Sequence, residues 1–327
     1  MSVVIPEWLQ RLRTRALRVP YFAYLALWFS ITSRYPYGTN VYERDWDALV
    51  LLDTCRVDAL CEVAPEFDFL DGADVDAITS VGSGSAEWIA NTFVEPHRED
   101  VEDTVYVSEN GYSRHILEHG ERFPTEKVPV HLAGWRTLTA DDFLLHHEIW
   151  DYAPDPIRPG YLDPQITTDR AITAAREYDP GRLVVHYTRP HQPYAATSIE
   201  ADRPLRRHEE RPFRELSRGA VSRDVVWELY LDELRVVLRE VETLLSNLDA
   251  ETVAISADHG DGFGEWGVHR HPLGVLHPHI RRVPWVETTA EDTGAHEPRY
   301  PLSEAERYAA GTSEADVEER LRQLGYA

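Results

Sequence analysis

TVAISADHGDGFGEWGVHRHPLGVLHPHIRRVPWV, residues Thr252 to Val286, is the stretch on which the reading of this chain turns. Its first five residues, Thr252 to Ser256, are β-branched or apolar without a polar face, the pattern of a short buried strand, and they end at Ala257-Asp258-His259-Gly260. A carboxylate and an imidazole therefore stand together where a strand gives way to a Gly-rich loop. Open α/β sheets place their chemistry there, outside the carboxyl ends of the strands. Asp and His are both good ligands for a divalent metal, and Gly260, Gly262 and Gly264 allow positive φ or close approach to an ion. An Asp-His pair alone reads equally well as a capped strand-end turn. Four more histidines, His269, His271, His277 and His279, follow within a few residues and favour the chemical reading.

Working outward, Trp46 to Arg56 (WDALVLLDTCR) contains an unbroken apolar run, Ala48 to Leu52, as in a strand covered on both faces, and it delivers Asp53 at its end. Thr104 to Ser108 and Arg182 to His186 read as two further buried strands. The second runs into Tyr187-Thr188-Arg189-Pro190-His191-Gln192-Pro193-Tyr194, where His186, Arg189 and His191 cluster between prolines that restrict the loop. Asp224 to Leu248 is a long amphipathic helix leading back to the Asp258 strand. Gly82 and Gly84 interrupt a small-residue loop, and Ser85 is placed as the N-cap of a helix; hydroxyls there meet free N–H groups and the positive end of the dipole. Glu121 to Pro180 is Pro-rich and weakly periodic, an excursion with His146, His147 and Trp150 in a helical patch.

The chain has 327 residues, 43% hydrophobic and 10% aromatic, enough for one large α/β core. Its net charge is −24, and Lys127 is the only lysine. An acidic, lysine-poor globular chain suits molar salt, where self-repulsion is screened, and it lacks the basic footprint that nucleic-acid binding needs. Cys55 and Cys61 do not make a disulfide framework. Near the N-terminus, Arg11, Arg13, Arg15 and Arg18 precede the apolar run Tyr21 to Ile31, about half the ~20 residues of a membrane span and without a cleavage site. It reads as an amphipathic helix packed on the domain, with peripheral membrane contact through residues 8–32 as the alternative. The expected organisation is an N-terminal helical segment (1–40), an α/β catalytic domain (41–300) and a C-terminal helical tail (301–327) that includes a short surface helix from Ser313 to Tyr326. The expected location is cytoplasmic, with membrane association as the alternative.

The order of Asp53 at a strand end, a hydroxyl at a helix start, HYTRPHQPY, a long helix, ADHGDGFGEWG and RRVPWV resembles the alkaline phosphatase and sulfatase superfamily, above all its sulfatase-like branch. The similarity spans Trp46 to Val286, and the DHG-x-x-x-GE-x-G block followed by RVP is its specific part. The resemblance implies an α/β fold with a mostly parallel central sheet sandwiched by helices, alkaline-phosphatase-like. It implies metal ligation by Asp53, Asp258 and His259, with one divalent ion, Zn²⁺ or Mn²⁺ before Ca²⁺. It places His191 and His271 near the transferred group. The nucleophile falls on Ser83 by the Glu87-Trp88 pair and on Ser85 by the helix start, Ser83 being narrowly preferred; Arg189 or Arg282 would clamp ester oxygens. The chain departs from sulfatases in lacking the C-x-P-S-R motif and in carrying Trp266 where many have histidine. The implied activity is metal-dependent hydrolysis or transfer on phosphate or sulfate esters, of small molecules or of glycan- or lipid-linked groups. The alternatives are an atypical sulfatase without the formylglycine motif and a non-catalytic binding module of the same fold.

Overall fold

The protein is described by a computed structural model that covers residues 7–118, 132–151, 158 and 160–301. The segment Ser313 to Tyr326 and part of the Glu121 to Pro180 excursion lie outside the described residues. Seven strands form the central sheet: β1 (Ala48–Leu52), β2 (Asp76–Thr79), β3 (Thr104–Ser108), β4 (Leu145–Glu148), β5 (Arg182–Tyr187), β6 (Ala250–Ser256) and, after the two-residue hairpin strands β7 (Gly262–Phe263) and β8 (His269–Arg270), β9 (Arg282–Ala290). Their order across the sheet is β2-β9-β6-β1-β5-β3-β4. The pairs β6–β1, β1–β5, β5–β3 and β3–β4 are parallel, whereas β9 runs antiparallel to both β6 and β2. The expected α/β class and mostly parallel sheet are therefore present.

β1 and β3 are buried at every position; β1 is accordingly apolar throughout, and β3 is apolar between a terminal Thr104 and Ser108 whose hydroxyls are hydrogen-bonded. Four helices frame the sheet and its site, α1 (Glu7–Thr32), α2 (Ser85–Thr92), α3 (Pro164–Tyr178) and α4 (Arg223–Leu245). On α4, Val226, Tyr230, Leu234, Val237, Val241, Leu244 and Leu245 are buried at helical spacing, with Leu229 only partly covered. The Ser222 hydroxyl caps α4, and the Asp163 carboxylate caps α3.

Three details correct the sequence reading. His146 and His147 lie on β4, pairing with Tyr106 and Val107, and not in a helical patch; only Trp150 follows in a short 3₁₀ turn. The weakly periodic excursion contains α3, which the mixture of Thr and Asp on its buried face concealed: Thr167, Thr168 and Asp169 are buried and hydrogen-bonded instead of apolar. Finally, Gly84 is the N-cap of α2 and Ser85 its first helical residue.

α1 packs Leu25 and Phe29 against Trp135 and Leu273. Among the described residues, no helix is long and apolar enough to cross a membrane. Cys55 and Cys61 are both free.

Candidate metal and nucleophile site

Three adjacent strand ends build the site. Register pairs Leu51 with His186 on one side and with Ser256 on the other, so Asp53 beyond β1, His186 on β5 and Asp258 beyond β6 arrive side by side. Asp53, His186 and Asp258 each present a ligand atom within 4.8 Å of one another, all buried. His259 Nε2 lies 3.5 Å from Asp53 Oδ1 and 3.5 Å from Asp258 Oδ2, and His186 Nε2 lies 3.6 Å from Asp258 Oδ2. The structure thus brings together Asp53, Asp258 and His259 and adds His186. The sequence displays this histidine at the end of RLVVH but does not reveal that its side chain turns toward Asp258.

Proton placement follows from the partners. The Gly260 carbonyl can only accept, so His259 Nδ1–H donates to it at 3.0 Å and Nε2 carries a lone pair. Desolvation, outweighing the attraction of Asp258, brings His259 down to about 4, so its imidazole is neutral at pH 7. Burial alone would raise the Asp258 carboxyl, but His259, His186 and the Ser85 hydroxyl outweigh it and hold the group below the usual carboxylate range. The remaining oxygen of Asp258 accepts from its neighbours' amides, from His259 N at 2.9 Å and Thr54 N at 3.4 Å, while Asn110 Nδ2 donates to Asp53 Oδ2 at 3.2 Å. Asp258 Oδ2 and His186 Nε2, both fully buried, face each other at 3.6 Å, and among the described residues neither has a partner at ordinary hydrogen-bond length. Lone pairs of two carboxylates and an imidazole facing one another away from water repel unless a cation sits among them. The donor set fits a divalent ion with mixed oxygen and nitrogen ligands.

Thr54 follows Asp53 with φ 68, a left-handed conformation that a β-branched residue adopts only under constraint. The constraint is visible: Tyr230 Oη donates to Thr54 O at 2.9 Å and accepts from Arg56 N at 3.0 Å, and Thr54 bridges to Gly260.

The two candidate serines are treated differently by the fold. Ser83 Oγ donates to Glu87 Oε2 at 2.8 Å and accepts from Gly274 N at 2.7 Å, so its hydroxyl ties the turn to helix α2 and to the loop above. Ser85 Oγ lies 3.3 Å from His259 Nε2 and so faces the carboxylate cluster. Gly82 permits this turn, because a Cβ there would stand 2.4 Å from Trp88 N.

His271 and His191 border the same space, their ring centroids 5.4 Å apart, with His271 4.3 Å from His259. Asp261 Oδ1 accepts from His271 Nδ1 at 2.7 Å, and the Gln192 carbonyl accepts from His191 Nδ1 at 2.7 Å, so each ring presents Nε2 in a fixed orientation. Burial, reinforced by His271, keeps His191 well below the ordinary imidazole range.

The arginines depart from expectation. Arg189 is fully buried; it lies 3.5 Å from Glu233, stacks 4.0 Å from the Tyr161 ring and donates to His191 O at 2.9 Å, which braces the His191 loop. Arg282 opens β9 with its side chain exposed, and its neighbour Arg281, the last residue of a short helical turn, takes the buried place against Glu87. Of the three loop glycines, only Gly264 has positive φ (99°); at Gly260 a Cβ would stand 2.2 Å from His279 O and at Gly262 2.8 Å from Val268 O.

Stability should follow these protonation states. Between pH 7 and about 4 the histidines of the unfolded chain take up protons near 6.5, whereas His259 and His191 in the fold do not. Folding then disfavours proton binding, so stability falls as pH drops. Burial raises Glu233 to about 7 against the pull of Arg189, and this acts in the opposite direction between 4.5 and 7. His146, brought down to about 4 by burial, and His279, also lowered, act with the first two, and Glu240, raised by burial, acts with Glu233; the lowered histidines are the larger set, so the metal-free protein is expected to show a lower urea midpoint at pH 5 than at pH 7. A flat or inverted profile would contradict the assignment of neutral buried imidazoles.

No protein-family model and no curated protein matches the chain. Solved structures do. The soluble domain of lipooligosaccharide phosphoethanolamine transferase A from Neisseria meningitidis is 14% identical, with 73% of this chain and 75% of that one covered and a TM-score of 0.42. The integral membrane form of the same transferase is 15% identical over 76% of this chain but only 48% of its own length (TM-score 0.44). A Bacteroides thetaiotaomicron protein described as a putative sulfatase is 11% identical, covering 85% and 70% (TM-score 0.38).

Proposed function

We infer that the chain is an enzyme of the alkaline phosphatase/sulfatase superfamily that hydrolyses or transfers phosphate or sulfate ester groups, with Ser85 as its nucleophile. One observation carries this reading: Asp53, Asp258, His259 and His186 converge on a space that the Ser85 hydroxyl borders at 3.3 Å. These four residues would hold a divalent ion, Zn²⁺ or Mn²⁺ by their mixed donors, which would supply Lewis acidity toward the serine and ester oxygens.

The chain's own groups do the rest. Ser85 sits at the first turn of α2, where free backbone N–H groups and the helix dipole favour an oxyanion. Its oxygen attacks the phosphorus or sulfur atom in line, forming a seryl ester as the bond to the leaving oxygen breaks. His271, oriented by Asp261, gives a proton to that leaving oxygen; the neutral His191, oriented by Gln192, can do so only after its Nε2 has taken up the proton that the Ser85 hydroxyl loses. Water or an acceptor alcohol then resolves the ester. Arg189 supports His191 from behind, and we assign Ser83 the task of fixing the turn.

The test is carried out in molar salt, which suits a chain of net charge −24. Metal content and turnover of aryl phosphate, aryl phosphodiester and aryl sulfate are measured for the wild type and Asp258→Asn. About one ion per chain, retained by the wild type and lost with activity in Asp258→Asn, is the expected result. A chain that retains no ion and turns over none of the three esters is a binding module of this fold. Preference for the sulfate ester makes it an atypical sulfatase.

A further inference from the structure

Residues 19–33 carry no charge, yet only one side of that part of α1 is covered. Leu25 and Phe29 are buried, with Phe22, Ala26 and Trp28 packed beside them. The opposite side repeats at intervals of four: Val19 (73% exposed), Ala23, Leu27 (63%) and Ile31 (52%) all face outward. Tyr35 (77%) and Tyr37 (52%) extend the exposed apolar surface just past the helix end. A helix apolar on every side is ordinarily surrounded by other apolar matter, and contiguous exposed apolar patches mark interaction sites.

Charge identifies the partner. Glu7 is the only acidic residue of α1, against Arg11, Arg13, Arg15 and Arg18, so this helix is cationic in a chain of net charge −24. A protein partner could be of either sign, but a basic segment leading into an apolar helix face, followed by tyrosines, is the layout of a helix lying in a lipid interface. Among the described residues no helix, α1 included, is long and apolar enough to cross a membrane.

We propose that the Val19-Leu27-Ile31 face of α1 docks on an anionic lipid surface, with the helix in the plane of the interface. The docking would sit next to the chemistry. Tyr21 Oη donates to Leu273 O at 2.9 Å, Tyr24 Oη donates to Gly274 O at 2.5 Å, and Gly274 N donates to the Ser83 hydroxyl at 2.7 Å. One loop thus links the helix to the turn that presents Ser85.

Flotation of the full chain with vesicles tests this without reference to activity. The wild type should float with phosphatidylcholine/phosphatidylglycerol vesicles. Leu27→Glu/Ile31→Glu should lower the partition coefficient by about 100-fold or more with an unchanged melting temperature, since each lost apolar insertion is worth at least tenfold. Arg11→Ser/Arg13→Ser/Arg15→Ser/Arg18→Ser should remove the preference for these vesicles over pure phosphatidylcholine. A wild type that floats with neither vesicle, or a Leu27→Glu/Ile31→Glu protein that floats as well as the wild type, overturns the proposal. A concentration-dependent dimer that Leu27→Glu/Ile31→Glu dissociates, without flotation, would give the face to a second copy and overturn it equally.

Discussion

Ser85→Ala is expected to lower turnover of the best ester substrate by about three orders of magnitude or more while leaving metal content and melting temperature nearly unchanged. The size follows from deleting a nucleophile that no neighbour can replace. Ser83→Ala should do the reverse. Its hydroxyl bridges Glu87 and Gly274, so its removal leaves a buried carboxylate oxygen and a buried N–H short of partners, at about 1–3 kcal/mol of stability, with turnover reduced only as far as the turn loosens. Melting curves and single-turnover kinetics on the two variants separate the roles. If Ser83→Ala were dead and Ser85→Ala active, the nucleophile assignment would be reversed.

The second large effect concerns Glu87. Its Oε1 accepts from Arg281 Nη2 and from Trp28 Nε1, each at 2.9 Å, and its Oε2 accepts from the amide and the hydroxyl of Ser83 at 2.9 and 2.8 Å. Burial would raise its carboxyl, but Arg281, Trp28 and Ser83 together hold it below the ordinary value. Arg281→Met strands that fully buried carboxylate and is expected to cost about 3–5 kcal/mol, on the order of 10 °C in melting temperature. Glu87→Gln should be milder, because the amide keeps the shape and two of its hydrogen bonds. The double variant Glu87→Gln/Arg281→Met should recover part of the loss, since neither charge is left alone. An Arg281→Met protein within 1 kcal/mol of the wild type in urea would mean that this pair does not hold the turn.

Much of the sheet was legible because burial on both faces writes strands such as Ala48–Leu52 as plain apolar runs. The strand β9 was not, since Pro284 and the paired arginines obscure it. Asp53, Asp258 and His259 stand out in sequence as prospective ligands because two of them are neighbours at a strand end, the third ends the most apolar strand, and the resemblance matches all three. His186 shows in sequence only as one polar residue among several, since its direction depends on the register of β5 against β1. The choice between Ser83 and Ser85 rests on which hydroxyl Glu87 captures, a matter of helix geometry within one turn that spacing alone leaves open.

The prospective ligands come from positions 53, 186 and 258, on three strands that are neighbours in space and far apart along the polypeptide. None of them can be brought to the others by a hairpin or any local unit, so no early, partly ordered species has a complete binding cage. Such high contact order slows the search for the native topology. It also makes ion uptake a late event that reports closure of the whole sheet, and each tenfold excess of free ion over its dissociation constant would add about 1.4 kcal/mol to the global unfolding free energy.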